Sequence, residues 1–294
     1  MILRSMLFVP ADSEKKLAKA DDAGADAIIL DLEDSVAEAR KGAARNLARE
    51  YLQARPQDGR KSQLYVRINP LGTDTSMRDL AAVSSGRPDG ILLPKCAGPE
   101  DVEFISRQLD DLENRAGALE GSTEIMAIAG ETAQGVLALS TYTAAMPRLR
   151  RLAGLSWGPW DLATDLGAAT NKGADGGYAF TYRLAMSMTL LAAKAARIQA
   201  IDTVHAEFKD DSGLLAWCKT IRHEGWNGKL AIHPAQVPII HEGFRPSPEE
   251  VAEAEQIIKA FADATTGVVA LNGAMLDRPH LKQAEYILAL RNAG

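Results

Sequence analysis

The sequence predicts an α/β protein, a TIM (β/α)8 barrel with a C-terminal helix-hairpin-helix extension. Eight apolar segments, each followed by a polar or helix-forming stretch, lie within about 245 residues, which is the usual size of such a barrel. Several of these segments end on a charged residue, as barrel strands do at the end that carries active sites. No proline- or serine-rich linker separates the units, so one barrel is favoured over two smaller domains.

The strands are recognised as consecutive apolar runs, which is typical of parallel strands covered on both faces. They are predicted at residues 5–9, 27–34, 64–69, 90–94, 124–129, 152–157, 201–204 and 229–233. Helices are indicated by stretches of helix formers between them. They are predicted from Asp12 or Ser13 onward and at residues 36–54, 79–83, 99–118, 180–196 and 214–223, with a glycine-rich loop at 167–177.

The last part of the chain is more than the barrel needs. Residues 247–264 open with Ser-Pro-Glu-Glu, a helix-start signal. Asn272-Gly273 between two apolar runs predicts a hairpin, and a last helix follows Pro279. We therefore expect a barrel domain at 1–246 and a C-terminal arm at 247–294 that packs as a lid or on a neighbouring subunit.

Composition excludes several classes of function. The chain is 46% hydrophobic with a net charge of -6, which gives no long-range attraction to nucleic acid or an anionic membrane surface. No apolar run approaches the ~20 residues of a membrane helix. The first ten residues lack the pattern of a secretory signal, and Cys96 and Cys218 fit buried thiols in a reducing compartment. A cytoplasmic protein is expected.

Two carboxylates form the candidate metal site. Glu131 follows the apolar run Met-Ala-Ile-Ala-Gly, and Asp161 follows the next predicted strand. At one rim of a parallel barrel they would offer Mg²⁺ two hard oxygen ligands and leave other positions to substrate and water. Each has a structural alternative as an acid at the start of the following helix.

A cation faces these carboxylates from the third strand. Arg67 needs an anion if it points into the barrel, because a guanidinium is costly to bury alone. A salt bridge to Glu33 or Asp34 is one alternative. The other is bidentate binding of a substrate carboxylate or an oxyanion, for which the planar fork of arginine is suited. Lys95 and His233 are also expected at the mouth, His233 as a turn, core or ligand-contact residue.

Motifs spread over essentially the whole chain resemble the citrate lyase beta-subunit-like family, which includes malyl-CoA and citramalyl-CoA lyases. They are Arg-Ser-Met-Leu-Phe-Val-Pro-Ala at 4–11, Asp-Leu-Glu-Asp-Ser-Val at 31–36, Val-Arg-Ile-Asn at 66–69, Gly-Ile-Leu-Leu-Pro-Lys at 90–95, Glu131-Thr132, Asp-Leu-Ala-Thr-Asp-Leu-Gly at 161–167, Ile-His-Pro-Ala-Gln at 232–236 and Asn-Gly-Ala-Met-Leu-Asp at 272–277. One departure from the family pattern is the bulky Ser-Trp-Gly-Pro-Trp at 156–160, where relatives more often carry a smaller residue or an acid, and we expect it to change the shape of the acceptor pocket.

The resemblance implies a magnesium-dependent carbon-carbon lyase that cleaves or forms a 3-hydroxyacyl-CoA thioester, giving an acyl-CoA and a 2-oxo acid. It implies Mg²⁺ on Glu131 and Asp161 and Arg67 at the reacting oxygen. The arm would carry Asp277 into a neighbouring subunit's site as the acid that protonates the enolate, in a homotrimer or hexamer. Glu33 and Asp34 are the alternative acids. Substrate or CoA contacts are expected from Lys95, Ile232, His233 and Pro234.

Three questions stay open from the sequence. The thioester could be carried by an acyl carrier protein, as in a citrate lyase subunit, instead of coenzyme A. The barrel could be catalytically silent and serve as an interaction subunit. Asp277 could be an ordinary acid at the start of the last helix.

Overall fold

The computed structural model describes residues 2–262, 264 and 267–292. Eight parallel strands close into a barrel in sequence order, with β1 paired to β8, so the predicted fold class is confirmed. The strands are β1 (Ser5–Pro10), β2 (Ala27–Asp31), β3 (Gln63–Arg67), β4 (Gly90–Leu93), β5 (Glu124–Gly130), β6 (Leu152–Trp157), β7 (Gln199–Asp202) and β8 (Gly228–Ala231).

Large side chains fill the barrel interior. Met6, Ile29, Tyr65, Leu92 and Met126 belong to this inner core, and a larger apolar layer lies between the strands and the helices. Side chains alternate between these two layers along each strand. The inward series therefore continues from Ile29 and Tyr65, two residues on, to a carboxylate and a guanidinium at the top of the barrel.

Ten helices in the described part of the chain follow the strands: α1 (Glu14–Leu17), α2 (Lys41–Gln53), α3 (Asp74–Ser84), α4 (Pro99–Arg115), α5 (Ala133–Ala138), α6 (Tyr142–Ala145), α7 (Pro159–Asp165), α8 (Phe180–Ala195), α9 (Asp211–Glu224) and α10 (Gln236–Gly243). No ranges were predicted from the sequence for α5, α6, α7 and α10. Within these ranges, no helix is long and apolar enough to cross a membrane.

The second strand ends earlier than predicted. Residues 27–34 were predicted as one strand, but β2 stops at Asp31 because its carboxylate accepts the backbone N–H groups of Glu33 (2.9 Å) and Ser35 (3.2 Å). Such a side-chain turn competes with the ladder of a sheet. The eighth strand is also shorter, which leaves residues 232–234 in a loop at the mouth.

The C-terminal part contains α11 (Pro248–Ala262), an antiparallel hairpin of β9 (Val269–Leu271) and β10 (Ala274–Leu276), and α12 (Arg278–Asn292). Asn272 and Gly273 both have positive φ, 52° and 79°, which confirms the predicted two-residue turn. An ion pair of 2.8 Å between Arg222 and Glu250 joins α9 to α11. The helix predicted to reach residue 264 is described as far as Ala262, and residue 263 lies outside the described residues. The division at residue 246 stays a prediction.

Candidate active site

The predicted charged residues meet at the carboxyl ends of neighbouring strands. Arg67 ends β3, Lys95 lies two residues after β4, and Glu131 directly follows β5. Asp161 lies in the first turn of α7, just after β6. Because the strands are parallel and adjacent, these side chains share one rim of the barrel.

Arg67 is held by a carboxylate on the neighbouring strand. Its Nε and Nη2 donate to the two oxygens of Asp31, both at 2.7 Å, and Nη1 lies 2.7 Å from Glu33 Oε2 in an ion pair without hydrogen-bond alignment. Burial alone would raise the pKa of Asp31, but the guanidinium holds that pKa below its ordinary value. Sequence reasoning named Glu33 or Asp34 as the structural partner. The bidentate partner is Asp31, and no contact in the described part of the chain joins Arg67 to Asp34.

Lys95 connects the acids of the mouth. Its ammonium donates to Glu33, lies 3.4 Å from Asp34 Oδ2, and lies 3.2 Å from Asp161 Oδ1. Burial would lower the pKa of Lys95, but Glu33 and the neighbouring carboxylates raise that pKa above its ordinary value, so the side chain is a cation at neutral pH.

Glu131 is 4% exposed. Its Oε2 accepts the backbone N–H of Lys95 at 2.7 Å, and no hydrogen bond to Oε1 is found among the described residues. Burial, followed by the negative charge of Asp161, raises the pKa of Glu131 to about 8. The alternative that Glu131 caps the next helix is wrong, because Thr132 is the N-cap and its Oγ1 accepts the N–H of Gly135 at 3.0 Å.

A glycine makes room for this carboxylate. A Cβ at Gly158 would lie 2.7 Å from Glu131 Cγ and 2.8 Å from Oε1, so a larger residue there would push Glu131 out of place. The Trp-Gly-Pro-Trp segment therefore places its small residue at this contact. Trp157 is fully buried and donates to Asp202 at 2.8 Å, whereas Trp160 is 41% exposed.

The carboxylates suit a hard cation that needs few protein ligands. The backbone N–H of Lys95 contacts Glu131 and its ammonium lies 3.2 Å from Asp161, so one residue contacts both acids. Among the described residues no group of three or more His, Cys, Asp or Glu is arranged to hold a metal. Two carboxylates with open positions fit Mg²⁺, which retains water and substrate ligands, better than they fit Zn²⁺.

A cavity of about 620 Å³ opens beside the charged cluster. Asp31 and Arg67 lie at its inner end, and the outer lining includes Lys15, Lys16 and Lys19 together with residues 232–234. Lys15 and Lys16 lie in α1, and Lys19 lies two residues after its end. Three lysines within five residues, shortly after the end of β1, were the available signal in the sequence.

The Ile-His-Pro loop is fixed by a buried glutamine. Gln236 Oε1 accepts the N–H groups of Ile232 (2.9 Å) and His233 (3.3 Å), while Gln236 Nε2 donates to the carbonyl of His205 (2.9 Å). The His233 ring is exposed and stacks on Phe208, with 5.5 Å between ring centroids. His233 is therefore a rim residue and not a core histidine.

Asp277 lies away from this cluster within the chain. It directly precedes α12, its side chain is 53% exposed, and its Oδ1 lies 2.6 Å from His280 Nδ1. No contact in the described residues joins Asp277 to the mouth. Its role as an acid supplied to a neighbouring subunit stays a prediction.

Two family models match the chain. A model described as HpcH/HpaI aldolase/citrate lyase matches residues 4–234. A second, described as a C–C bond lyase of the TIM-barrel fold, matches residues 191–293. Together they span the barrel and the C-terminal arm.

Several named proteins are similar over nearly the whole chain. A citrate lyase subunit beta-like protein of Mycobacterium tuberculosis is 36% identical, covering 98% of this chain and 94% of the relative. A (3S)-malyl-CoA thioesterase of Cereibacter sphaeroides is 35% identical, covering 99% and 95%. A mitochondrial citramalyl-CoA lyase of Rattus norvegicus is 32% identical, covering 98% and 85%.

A solved structure shares the fold of the entire chain. The CitE protein of Mycobacterium tuberculosis, crystallised with magnesium, acetoacetate and coenzyme A, superposes with a TM-score of 0.82 at 34% identity, covering 99% of this chain and 98% of that one.

Proposed function

Because the chain belongs to the HpcH/HpaI aldolase/citrate lyase family and is a carbon-carbon lyase, we propose that it cleaves a 3-hydroxyacyl-CoA thioester. The products would be an acyl-CoA and a 2-oxo acid, and the reverse reaction would join them. The observation that carries the proposal is the mouth itself. Two buried or half-buried carboxylates share its rim with a forked arginine, and this arginine lines a cavity bordered by lysines. Malyl-CoA and citramalyl-CoA are the substrates to test first. The proposed location of the reaction is the cytoplasm.

Glu131 and Asp161 would hold Mg²⁺. The fit rests on their shared rim, on the open oxygen of Glu131 and on the space that Gly158 leaves. When bound, magnesium would act as a Lewis acid toward the carboxylate and carbonyl oxygens of the 2-oxo acid. Crystal structures of the Mycobacterium tuberculosis relative with magnesium support magnesium as the metal.

Arg67 would stabilise negative charge on the reacting oxygen. Burial works against its charge, but Asp31 and Glu33 raise the pKa of Arg67 above its ordinary value, so it stays a cation. Two of its nitrogens are taken by Asp31, which fixes the plane of the fork. A fixed cation needs no reorganisation when charge develops in the transition state.

Bond cleavage leaves an electron pair on the thioester fragment as an enolate, and an acid must give its carbon a proton. We assign this step to Asp277 of a neighbouring subunit, because the arm lies outside the barrel and closed oligomers can place such an arm on a neighbour. Glu33, whose pKa is raised by burial, and Asp34 are the alternatives within the chain. A homotrimer or hexamer is part of this proposal.

Coenzyme A would lie along the mouth cavity. Lys15, Lys16 and Lys19 suit its phosphates as point charges, and Ile232, His233 and Pro234 would border the pantetheine arm. Lys95 would contact the thioester end. An acyl carrier protein could present the same thioester arm, so the experiment determines which of the two carries the thioester.

The test incubates purified protein and Mg²⁺ with malyl-, citramalyl- and methylmalyl-CoA and measures 2-oxo acid and free thiol separately. A 2-oxo acid with an intact acyl-CoA product supports the lyase. Free thiol without 2-oxo acid indicates a thioesterase, as one relative is named. If no CoA ester is turned over but the corresponding carrier-protein ester is cleaved, the proposal that coenzyme A carries the thioester is contradicted. If neither kind of ester is turned over, the alternative of a catalytically silent barrel is favoured.

The shared site has its own test. An inactive Asp277→Asn chain is mixed with an inactive Glu131→Gln chain, and the subunits are allowed to exchange. Recovered activity requires one site built from Glu131 of one chain and Asp277 of another. Confirmed hybrid oligomers without activity would contradict the assignment.

A further inference from the structure

Lys95 joins the two proposed metal ligands through different parts of one residue. Its backbone N–H donates to Glu131 Oε2 at 2.7 Å, and its ammonium lies 3.2 Å from Asp161 Oδ1. The same ammonium also contacts Glu33 and Asp34. Lys95 is thus the cation that faces all four of these carboxylates.

The backbone of Lys95 is in an uncommon conformation. Its φ of 49° lies in the left-handed region, which residues other than Gly, Asn and Asp rarely adopt. In this conformation the N–H points at Glu131 while the side chain extends to Asp161. Such outliers persist where the surrounding structure holds them. The ammonium lies beside the acids because it is paired with Glu33, Asp34 and Asp161, and the side chain is 28% exposed.

We propose that Lys95 is a built-in counter-ion that shares Asp161 with the divalent cation and so weakens metal binding. This inference rests on the proposed function, because it takes Glu131 and Asp161 as the ligands of Mg²⁺. A cation on Asp161 and an ammonium 3.2 Å from the same carboxylate repel each other. Glu33 and Asp34 remain as partners for Lys95, so the ammonium has other anions to contact when the metal takes Asp161.

The opposite role predicts the opposite result. If Lys95 only positioned the ligands, its side chain would be needed to orient Asp161 for the metal, and removing it would weaken binding. If Lys95 competes, removing its charge strengthens binding. The sign of the change in magnesium affinity therefore separates the two roles without an activity measurement.

The experiment is calorimetric titration of Mg²⁺ into wild-type protein and Lys95→Met at one pH and ionic strength. Methionine keeps the length of the side chain and removes the charge. We expect the dissociation constant for Mg²⁺ to fall by about tenfold in Lys95→Met. Lys95→Arg, which keeps the charge, should bind Mg²⁺ as weakly as the wild type.

The matched control is Lys219→Met, which removes the same charge from an exposed position of α9 and should leave the affinity unchanged. If Lys95→Met does not fold, Lys95→Gln removes the charge and keeps a hydrogen-bond donor. Equal or weaker binding in the neutral variant, with normal binding in the wild type, overturns this inference and leaves the proposed function intact. Failure of both proteins to bind Mg²⁺ overturns the proposed function as well.

Discussion

The two ends of the barrel both bury charges, but they balance them differently. At the end of the barrel opposite the mouth, Glu113 accepts two hydrogen bonds from Arg151, which directly precedes β6 (2.6 and 2.9 Å). It also accepts two backbone N–H groups (both 2.8 Å). Burial would raise the pKa of Glu113, but these donors lower it to about 2. At the mouth, Glu131 receives one backbone N–H and faces Asp161, and its pKa is raised to about 8.

The difference separates structural charge from functional charge. The lower cluster satisfies its carboxylate within the protein, as buried ionised groups require for stability. The mouth crowds Asp31, Glu33, Asp34, Glu131 and Asp161 around Arg67 and Lys95, so negative charge is in excess. Such an excess costs stability and fits a site that binds a cation.

The largest expected effect is at Glu131. Glu131→Gln should lower magnesium-dependent turnover by roughly 10³-fold, because a ligand that holds the Lewis acid is lost. Without metal the variant should be more stable than the wild type at pH 8, since a repelled carboxylate is removed. The measurements are steady-state kinetics and thermal melting with a chelator.

Asp165→Asn is the control for this substitution. Asp165 lies one turn after Asp161 and accepts the N–H of Ala133 at 2.7 Å. The variant should keep its turnover. A Glu131→Gln protein that remains active would break the distinction between the two ends.

Arg67→Lys keeps the charge and loses the fork, and we expect turnover to fall by about 10²-fold. The control is Arg45→Lys, because Arg45 also pairs with a buried aspartate, Asp79, at 2.6 Å but lies outside the mouth. Both variants should lose comparable stability in denaturant unfolding. Equal losses of turnover in the two would mean that Arg67 acts only through the fold.

Glu113→Gln should lower stability and leave turnover unchanged, which is the reverse of the effect expected for Glu131→Gln. It leaves the charge of Arg151 buried without its main partner, and the free energy of unfolding should fall by about 3 kcal/mol. Turnover per folded molecule should stay unchanged. Glu103→Gln, which removes an acid from the exposed pair with Arg148, should cost under about 1 kcal/mol. A similar cost for both would show that the lower cluster has no special role in stability.

The smallest effect concerns pH. The pKa of Glu113 is lowered in the folded protein, so its contribution to stability is present above pH 4.5 and is lost as the pH falls toward 2. The raised pKa of Glu131 has the opposite sign, and stability without metal should decline between pH 4.5 and 8. The melting temperature should depend less on pH on the acid side for Glu113→Gln and on the neutral side for Glu131→Gln. Unchanged profiles would contradict the contrast.

The sequence was sufficient for the barrel because its strands are apolar on both faces and end on charges. It also placed Arg67, Lys95, Glu131 and Asp161 at one rim, since the ends of parallel strands must meet. Strand ends were less predictable. Asp31 ends β2 through hydrogen bonds to the following backbone, and no periodicity in residues 27–34 encodes that turn.

Contacts between distant segments could not be derived from the sequence. The fork between Arg67 and Asp31 depends on the register of β2 and β3. The space at Gly158 depends on how Glu131 folds over the start of α7. The neighbours of Asp277 in an oligomer depend on a second chain, which is why its role remains a proposal.

The proposed function requires that Glu131 and Asp161 hold a divalent cation that binds the 2-oxo acid. Its most direct test is a crystal structure with Mn²⁺ in place of Mg²⁺ and with pyruvate, using the anomalous signal of manganese to locate the ion. We expect one peak between the two carboxylates, with an oxygen from each within roughly 2.0 to 2.3 Å and pyruvate oxygens completing the coordination. A manganese ion bound elsewhere, or carboxylates that point away from it, would contradict the account.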